Sequence, residues 1–373
     1  MTQRILISGY YGYGNLGDEA ILAATIAMFR AKAPDIQLTA LSADPQATEA
    51  AHGIQALPRW GIAPLWRGLR QADLFLLGGG GLLQDVTSWK SPLYYAGQLV
   101  AARLAGTPSM LWAQGIGPLQ GGAMRQAVGA ALGGVRMATV RDAESVADLG
   151  RLGMSPGRIL LTADPVLALR PNQPARADAL LIAAGLEPRR PFLAIAIRPW
   201  KTWYERQLKS FTAVVSQMAM RWGLQILVIP FQYTVDRYLA EEAAYCLGCR
   251  PSGAAPRVGV LHSAVTAEDM MAVLGRAQFL IGMRLHSLIM GAAMGVPAVG
   301  IVYDPKVAAF SELAGYPTIT HIGALSEGDT WARTLGLAWE SQQEQRRYLS
   351  RQVPKLQAAA WQNVETALRL LGR

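Results

Sequence analysis

The chain has 373 residues, longer than one hydrophobic core usually organises; 51% of it is apolar and 16% charged, which argues against disorder and for two compact domains. Its formal charge of +9 would suit nucleic acid, an anionic membrane surface or an acidic substrate. The arginines are scattered, with adjacent pairs only at Arg189-Arg190 and Arg346-Arg347. Without a basic stripe interleaved with aromatics, nucleic acid is disfavoured, while weak attraction to anionic lipid stays open.

The opening residues, Met1 to Gly9, have no apolar h-region and no small-residue cleavage site, so they read as a first strand. Residues 279–302 are the most apolar long stretch, but Arg284, His286, Gly295 and Pro297 interrupt it, and no transmembrane segment is expected. Two cysteines, Cys246 and Cys249, form a CxxC. Only His262 lies near enough in sequence to join them, so no metal is expected, and a reducing, cytoplasmic setting is the simpler assumption.

Apolar runs rich in β-formers occur at residues 4–8, 37–41, 73–77, 109–113, 137–140 and 159–161, separated by helix-length segments. This βαβ alternation predicts an α/β domain with a mostly parallel sheet over residues 1–170, with ligands gathered beyond the carboxyl ends of the strands. Prolines and polar residues over 171–190 read as a linker. A second series at 192–197, 224–229, 257–261, 278–281 and 298–302 predicts another Rossmann-like domain over 191–336. The tail, 337–373, has helical spacing and is expected to pack back across the junction, with the active site in the interdomain cleft.

The first strand runs into a literal GxGxxG at Gly12, Gly14 and Gly17. Asp18 and Glu19 stand where the next helix should offer free amides to a pyrophosphate, so a nicotinamide cofactor is a poor match. Asp18 suits two roles equally, a helix cap or a carboxylate that takes a proton from a sugar hydroxyl. Gly14 and Asn15 in this loop, Gly80 and Gln84 after the 73–77 strand, and Gln114 after the 109–113 strand complete a candidate sugar-facing set.

Cations mark the remaining strand ends. Arg141 follows residues 137–140, with surface pairing to Asp142 as its plainer reading. Arg198 follows the 192–197 strand. Arg284, Leu285 and His286 sit where a strand gives way to an apolar helix, and Lys306 follows the next strand. Several cations at strand ends of one domain describe a pocket for a compact polyanion.

The segments GYGNLGDEA, GGGGLLQD, AQGIGPL, VRDAES and GMRLHSLIMGAAMGVPAVGIVYDPKV together resemble the polysaccharide pyruvyl transferase family, of the CsaB type. The resemblance spans nearly the whole chain. It implies a two-domain GT-B-like fold and transfer of pyruvate from phosphoenolpyruvate to a sugar as a cyclic ketal. The acceptor it implies is usually an N-acetylhexosamine, such as N-acetylmannosamine in a cell-wall or surface polysaccharide precursor, or galactose; no cofactor or metal is implied. It assigns Arg141, Arg284, His286 and Lys306 to the donor, with Asp18 as a candidate acid or base. Whether the acceptor is free, polymeric or lipid-linked, with the enzyme peripheral at the inner membrane surface, is left open. Two rival readings share the architecture: a glycosyltransferase using a nucleotide sugar, and a non-catalytic sugar- or phosphate-binding module.

Overall fold

The computed structural model describes residues 2–86, 88–200, 205–249, 255–262, 265–320, 323 and 328–373. Its elements fall into two compact units, one of residues 1–169 with 355–373, the other of residues 170–354. The first contains β1 (Arg4–Ser8), α1 (Leu16–Lys32), β2 (Gln37–Ser42), α2 (Pro45–His52), β3 (Gln55–Pro58), α3 (Ile62–Gln71) and β4 (Leu74–Leu77). It continues with α4 (Lys90–Ala105), β5 (Ser109–Gln114), α5 (Gly122–Leu132), β6 (Val135–Val140), α6 (Ala143–Arg151) and β7 (Ile159–Leu161).

The second unit runs through α7 (Pro174–Ala183), β8 (Phe192–Ala196), α8 (Glu205–Trp222), β9 (Gln225–Val228), α9 (Tyr233–Gly248), β10 (Val258–Val260) and α10 (Ala267–Leu274). It ends with β11 (Phe279–Gly282), α11 (Leu285–Ala293), β12 (Ala298–Ile301), α12 (Pro305–Ala314), β13 (Thr318–Ile319), α13 (Gly328–Glu340) and the first part of α14 (Gln342–Leu370).

Every strand pairing is parallel. The first sheet has the order β3-β2-β1-β4-β5-β6-β7 and the second β10-β9-β8-β11-β12-β13. Parallel strands covered by helices on both faces must be apolar throughout rather than alternating, and the central strands LFLL of β4 and FLAIA of β8 are buried at every position. Each sheet has its own core, with Phe75, Leu77 and Leu111 in the first and Phe211, Phe279 and Trp331 in the second.

Two strands carry no strong sequence signal. β3 is a four-residue edge strand that ends in Pro58, and β13 is a two-residue edge strand; edge positions need neither long apolar runs nor every amide. The tail forms one helix, α14, with Pro354 inside it, and from Lys355 onward it belongs to the first unit. There Asn363 accepts from the Thr162 hydroxyl at 2.9 Å and donates to the Ala163 carbonyl at 3.0 Å, while Gln357 donates to the Leu167 carbonyl. At the chain end the exposed Arg373 guanidinium holds the Asp35 carboxyl down at about 2.

Candidate active site

Each sheet reverses its strand order once, between β1 and β4 and between β8 and β11, which opens a crevice beyond the carboxyl ends of those strands. Of the candidate residues, Asn15, Asp18 and Gly80 follow the strands of the first reversal and Arg198, Arg284 and His286 those of the second, while Gln114, Arg141 and Lys306 lie at strand ends further along each sheet.

At the first reversal the β1–α1 loop meets the β4 loop. Asn15 caps α1, its side-chain oxygen accepting from the Gly17 amide at 3.2 Å, so the cap considered for Asp18 falls to Asn15 instead. Asp18, half-buried in the first turn, lies against Gly80: its Oδ1 is 3.2 Å from where a Cβ on Gly80 would stand. Gly80 has φ +109, a conformation that only glycine adopts without strain, so this approach depends on the residue type. Glu19 accepts from the Gly12 amide at 2.8 Å and faces the His52 ring at 3.3 Å. That amide, which a dinucleotide phosphate would seek in a glycine loop, is thus committed to a carboxylate. Gly14 is exposed, with nothing near its missing side chain.

Gln84 and Gln114 brace the loops. Gln84 accepts from the Val86 amide at 2.9 Å. Gln114 is the last residue of β5 and wholly buried, its amide nitrogen donating to the carbonyls of Leu77 and Gly78. It ties β5 to the end of β4.

Arg141, in the first unit, is not paired with Asp142. Asp142 caps α6 by accepting from the Ser145 amide, and the nearly buried Arg141 guanidinium bonds Asp164 at 2.5 Å.

At the second reversal, β8, β11 and β12 are neighbours and deliver Arg198, then Arg284 to His286, then Tyr303 to Lys306 along one sheet edge. Arg284 is the N-cap residue of α11 but uses only its backbone there; its buried guanidinium forms a two-point pair with Asp236 of α9, Nε to Oδ2 at 3.0 Å and Nη2 to Oδ1. Asp236 is fully buried and also accepts from the Gln232 amide. The charge assigned to the donor is therefore compensated by an aspartate 48 residues away in sequence. Leu285 and His286 are the first residues of α11, both half-buried. Lys306 lies in the first turn of α12, its amide donating to the cap residue Asp304 at 2.9 Å.

Arg198 differs. It reaches over the β11 end to the Tyr303 hydroxyl at 3.4 Å and stacks its cation on Trp200 and Tyr303, with ring centres 5.4 and 5.2 Å away. Its Nε is buried without a hydrogen-bond partner, and no carboxylate pairs with it among the described residues.

Sequence reasoning missed four features here. Asp236 and Asp164, the partners of Arg284 and Arg141, are lone acids in unremarkable segments. Tyr11 lies buried with its ring against Gly9 and its hydroxyl against Gly78; a Cβ on either glycine would come within 2.3 Å of it. Burial, then the Asp18 and Glu19 carboxylates, push its phenol well above the ordinary range, and its hydroxyl has no hydrogen-bond partner among the described residues. Arg59 after β3 is likewise buried, bonded to the Gly9 carbonyl and the Tyr95 hydroxyl and ringed by Tyr13, Tyr94 and Trp60. Burial works against its charge, but Tyr95 and the neighbouring tyrosines raise its pKa overall. A glycine at both walls of Tyr11 was the one available signal.

Both cysteines are free, burial raises the Cys246 thiol, and no group of three or more metal-ligating side chains occurs among the described residues. No described helix is long and apolar enough to cross a membrane.

Two Rossmann-like units with these parallel sheets define a fold of the GT-B type, and solved structures agree. Alr3699/HepE from Anabaena, solved with UDP and glucose, matches with a TM-score of 0.62 at 11% identity over 100% of both chains. S. aureus MnaA, solved with UDP, matches at 0.67 and 10% identity, covering 100% of this chain and 98% of its own. A glycosyltransferase from Rickettsia africae matches at 0.63 and 10%, covering 99% and 98%. At such identities the likeness concerns the fold alone. The sequence itself matches the polysaccharide pyruvyl transferase family over residues 15–305. The chain belongs to that family, and its activity class is that of a transferase.

Proposed function

We propose that this transferase moves pyruvate from phosphoenolpyruvate to a sugar as a cyclic ketal and releases phosphate. The observation that carries the reading is the row of cations at the ends of β8, β11 and β12, in a chain of this family. Phosphoenolpyruvate carries a phosphate and a carboxylate within a few atoms, and each needs its own cationic contact. Arg198, held by rings rather than by a carboxylate, and Lys306, beside the N-terminus of α12, are the contacts we assign to them. Arg284, compensated by Asp236, fixes the α11 start on which His286 is carried. Arg141, bonded to Asp164, is proposed as a fixed part of the first unit's sheet edge.

The chemistry balances as follows. His286 donates a proton to the methylene carbon, which becomes the methyl group and leaves C2 cationic. One sugar hydroxyl adds its oxygen to C2 and gives up its proton; the bond from C2 to the phosphate oxygen then breaks and phosphate leaves with that electron pair. A second hydroxyl adds to C2, loses its proton and closes the ring. For the acceptor we assign the loops of the first reversal, where Asp18 beside Gly80 is the carboxylate available to take a hydroxyl proton. An N-acetylhexosamine of a cell-wall or surface precursor, free or on a lipid carrier, is the acceptor class this reading takes, and no cofactor is needed.

His286→Gln tests the assignment. Phosphate release should fall about a hundredfold or more in kcat, the scale of general acid catalysis. Retained kcat with a raised donor KM would leave histidine a binding residue only. Because the fold's relatives include proteins solved with UDP, thermal shift with phosphoenolpyruvate against UDP-sugars separates this reading from a nucleotide-sugar transferase.

A further inference from the structure

Exposed large apolar side chains crowd one layer of the first unit. α3, α4 and α5 pack in that order on the sheet. At the start of α3, Trp60 and Ile62 are 63% and 86% exposed, and Trp66 follows one turn on. α4 turns outward Trp89, Leu93, Val100 and Leu104, spaced four, seven and four residues apart, which is one stripe of a helix. In a helix covering a sheet such a stripe should be polar, so the face is built to meet something.

Its charge says what. Across residues 60–140 there are six Lys or Arg and two acids, Asp73 and Asp85, both in loops and both hydrogen-bonded to backbone amides. α3, α4 and α5 contain no acid at all, while Arg67, Arg70, Lys90, Arg103 and Arg125 are exposed on them. The helices that do not belong to this layer differ: α1 carries Asp18 and Glu19, α2 Glu49, and α6 Glu144 and Asp148. Tryptophan and isoleucine at a helix start, flanked by arginines that no carboxylate among the described residues neutralises, match an anionic bilayer, where rings sit at headgroup depth and cations meet lipid phosphates. A second copy of this chain would bring the same cations face to face, so charge speaks against self-association.

We infer that the α3–α4 face is a docking surface for an anionic lipid bilayer. The use of such docking, presenting an acceptor carried on a lipid, rests on the function proposed above; the docking itself does not.

The test is co-sedimentation of the full chain with vesicles of phosphatidylcholine alone or mixed with phosphatidylglycerol. Binding should be about tenfold stronger to the anionic vesicles and fall steeply with added salt. The double variant Ile62→Glu/Trp66→Glu changes only exposed positions and should lose about tenfold or more in vesicle binding with an unchanged melting temperature. Arg67→Glu/Arg70→Glu should do the same, and Arg221→Glu, an exposed arginine of the second unit, should change nothing. Equal binding to both vesicles, binding to neither, or equal loss in the Arg221 variant overturns the inference. So does a dimer in sedimentation velocity that Ile62→Glu/Trp66→Glu dissolves while vesicles stay unbound. Phosphate release on a water-soluble acceptor, run on the same variants, should be unaltered; its absence in the unmodified chain would count against the pyruvyl-transfer reading and leave the vesicle result standing.

Discussion

The two strand-order reversals are built alike and furnished differently. Both lie beside the first strand of a parallel sheet, and each sheet also has one arginine at a strand end locked to a buried aspartate, Arg141 to Asp164 and Arg284 to Asp236. Beside the first reversal, the chain's own Tyr11 is buried between Gly9 and Gly78, with the Asp18 and Glu19 carboxylates near it. The second presents Arg198, which has rings for partners and a buried Nε that nothing described satisfies. Two of these strand-end arginines are thus tied to internal acids and the third is held by rings, a difference in partner that strand position does not reveal.

The largest effect expected from breaking this contrast is on stability. Asp236→Ala leaves the Arg284 guanidinium buried and uncompensated and should cost about 3–5 kcal/mol in denaturant unfolding, whereas Asp236→Leu with Arg284→Met should recover most of it. Asp164→Ala should cost as much in the first unit. If Asp236→Ala were harmless and instead abolished donor binding, Arg284 would be a ligand contact after all.

Arg198→Ala sharpens the other half. With no ion pair to lose among the described residues it should fold normally, while losing a charged hydrogen bond to the donor raises KM for phosphoenolpyruvate about tenfold to a hundredfold. An unchanged KM removes Arg198 from the site.

Tyr11 supplies a smaller test. Gly78→Ala puts a methyl about 2 Å from its hydroxyl and should destabilise by about 1–3 kcal/mol. Tyr11→Phe removes a buried hydroxyl with no described partner, so it should be neutral or stabilising by about 1 kcal/mol and should lessen the Gly78→Ala penalty. Additive costs in the double variant would assign the penalty to the Ser8 carbonyl, 2.7 Å from the same methyl, rather than to the Tyr11 hydroxyl.

The same phenols set a pH dependence. Burial raises the Tyr11 and Tyr95 phenols, so the folded chain keeps protons that unfolded tyrosines release near their ordinary pKa of about 10. Below that both states are protonated and the stabilisation is complete; above it the unfolded state binds fewer protons, and stability falls by about 1.4 kcal/mol per pH unit for each phenol. Unfolding midpoints between about pH 9 and 11 should show this decline, shallower in Tyr11→Phe.

Much of the fold was legible because parallel strands sealed on both faces must be apolar runs, and eleven such runs stand out between helix-length spacers. β3 and β13, at the sheet margins, escaped because edges are free of that demand. Among site residues, the placement of Asp18, Arg198, Arg284, His286 and Lys306 at strand ends followed from βαβ alternation alone. Their partners did not.

By itself, then, the sequence determined the alternation of elements, the glycine loops and the family, since these are local patterns of residue type. Tertiary structure alone decided that Asn15 rather than Asp18 caps α1, that Gln114 is a buried strut, that Asp164 and Asp236 claim Arg141 and Arg284, and that the α3–α4 face stays apolar and exposed. Those outcomes depend on which side chains meet across tens of residues, and charge compensation over such separations leaves no mark in a one-dimensional pattern.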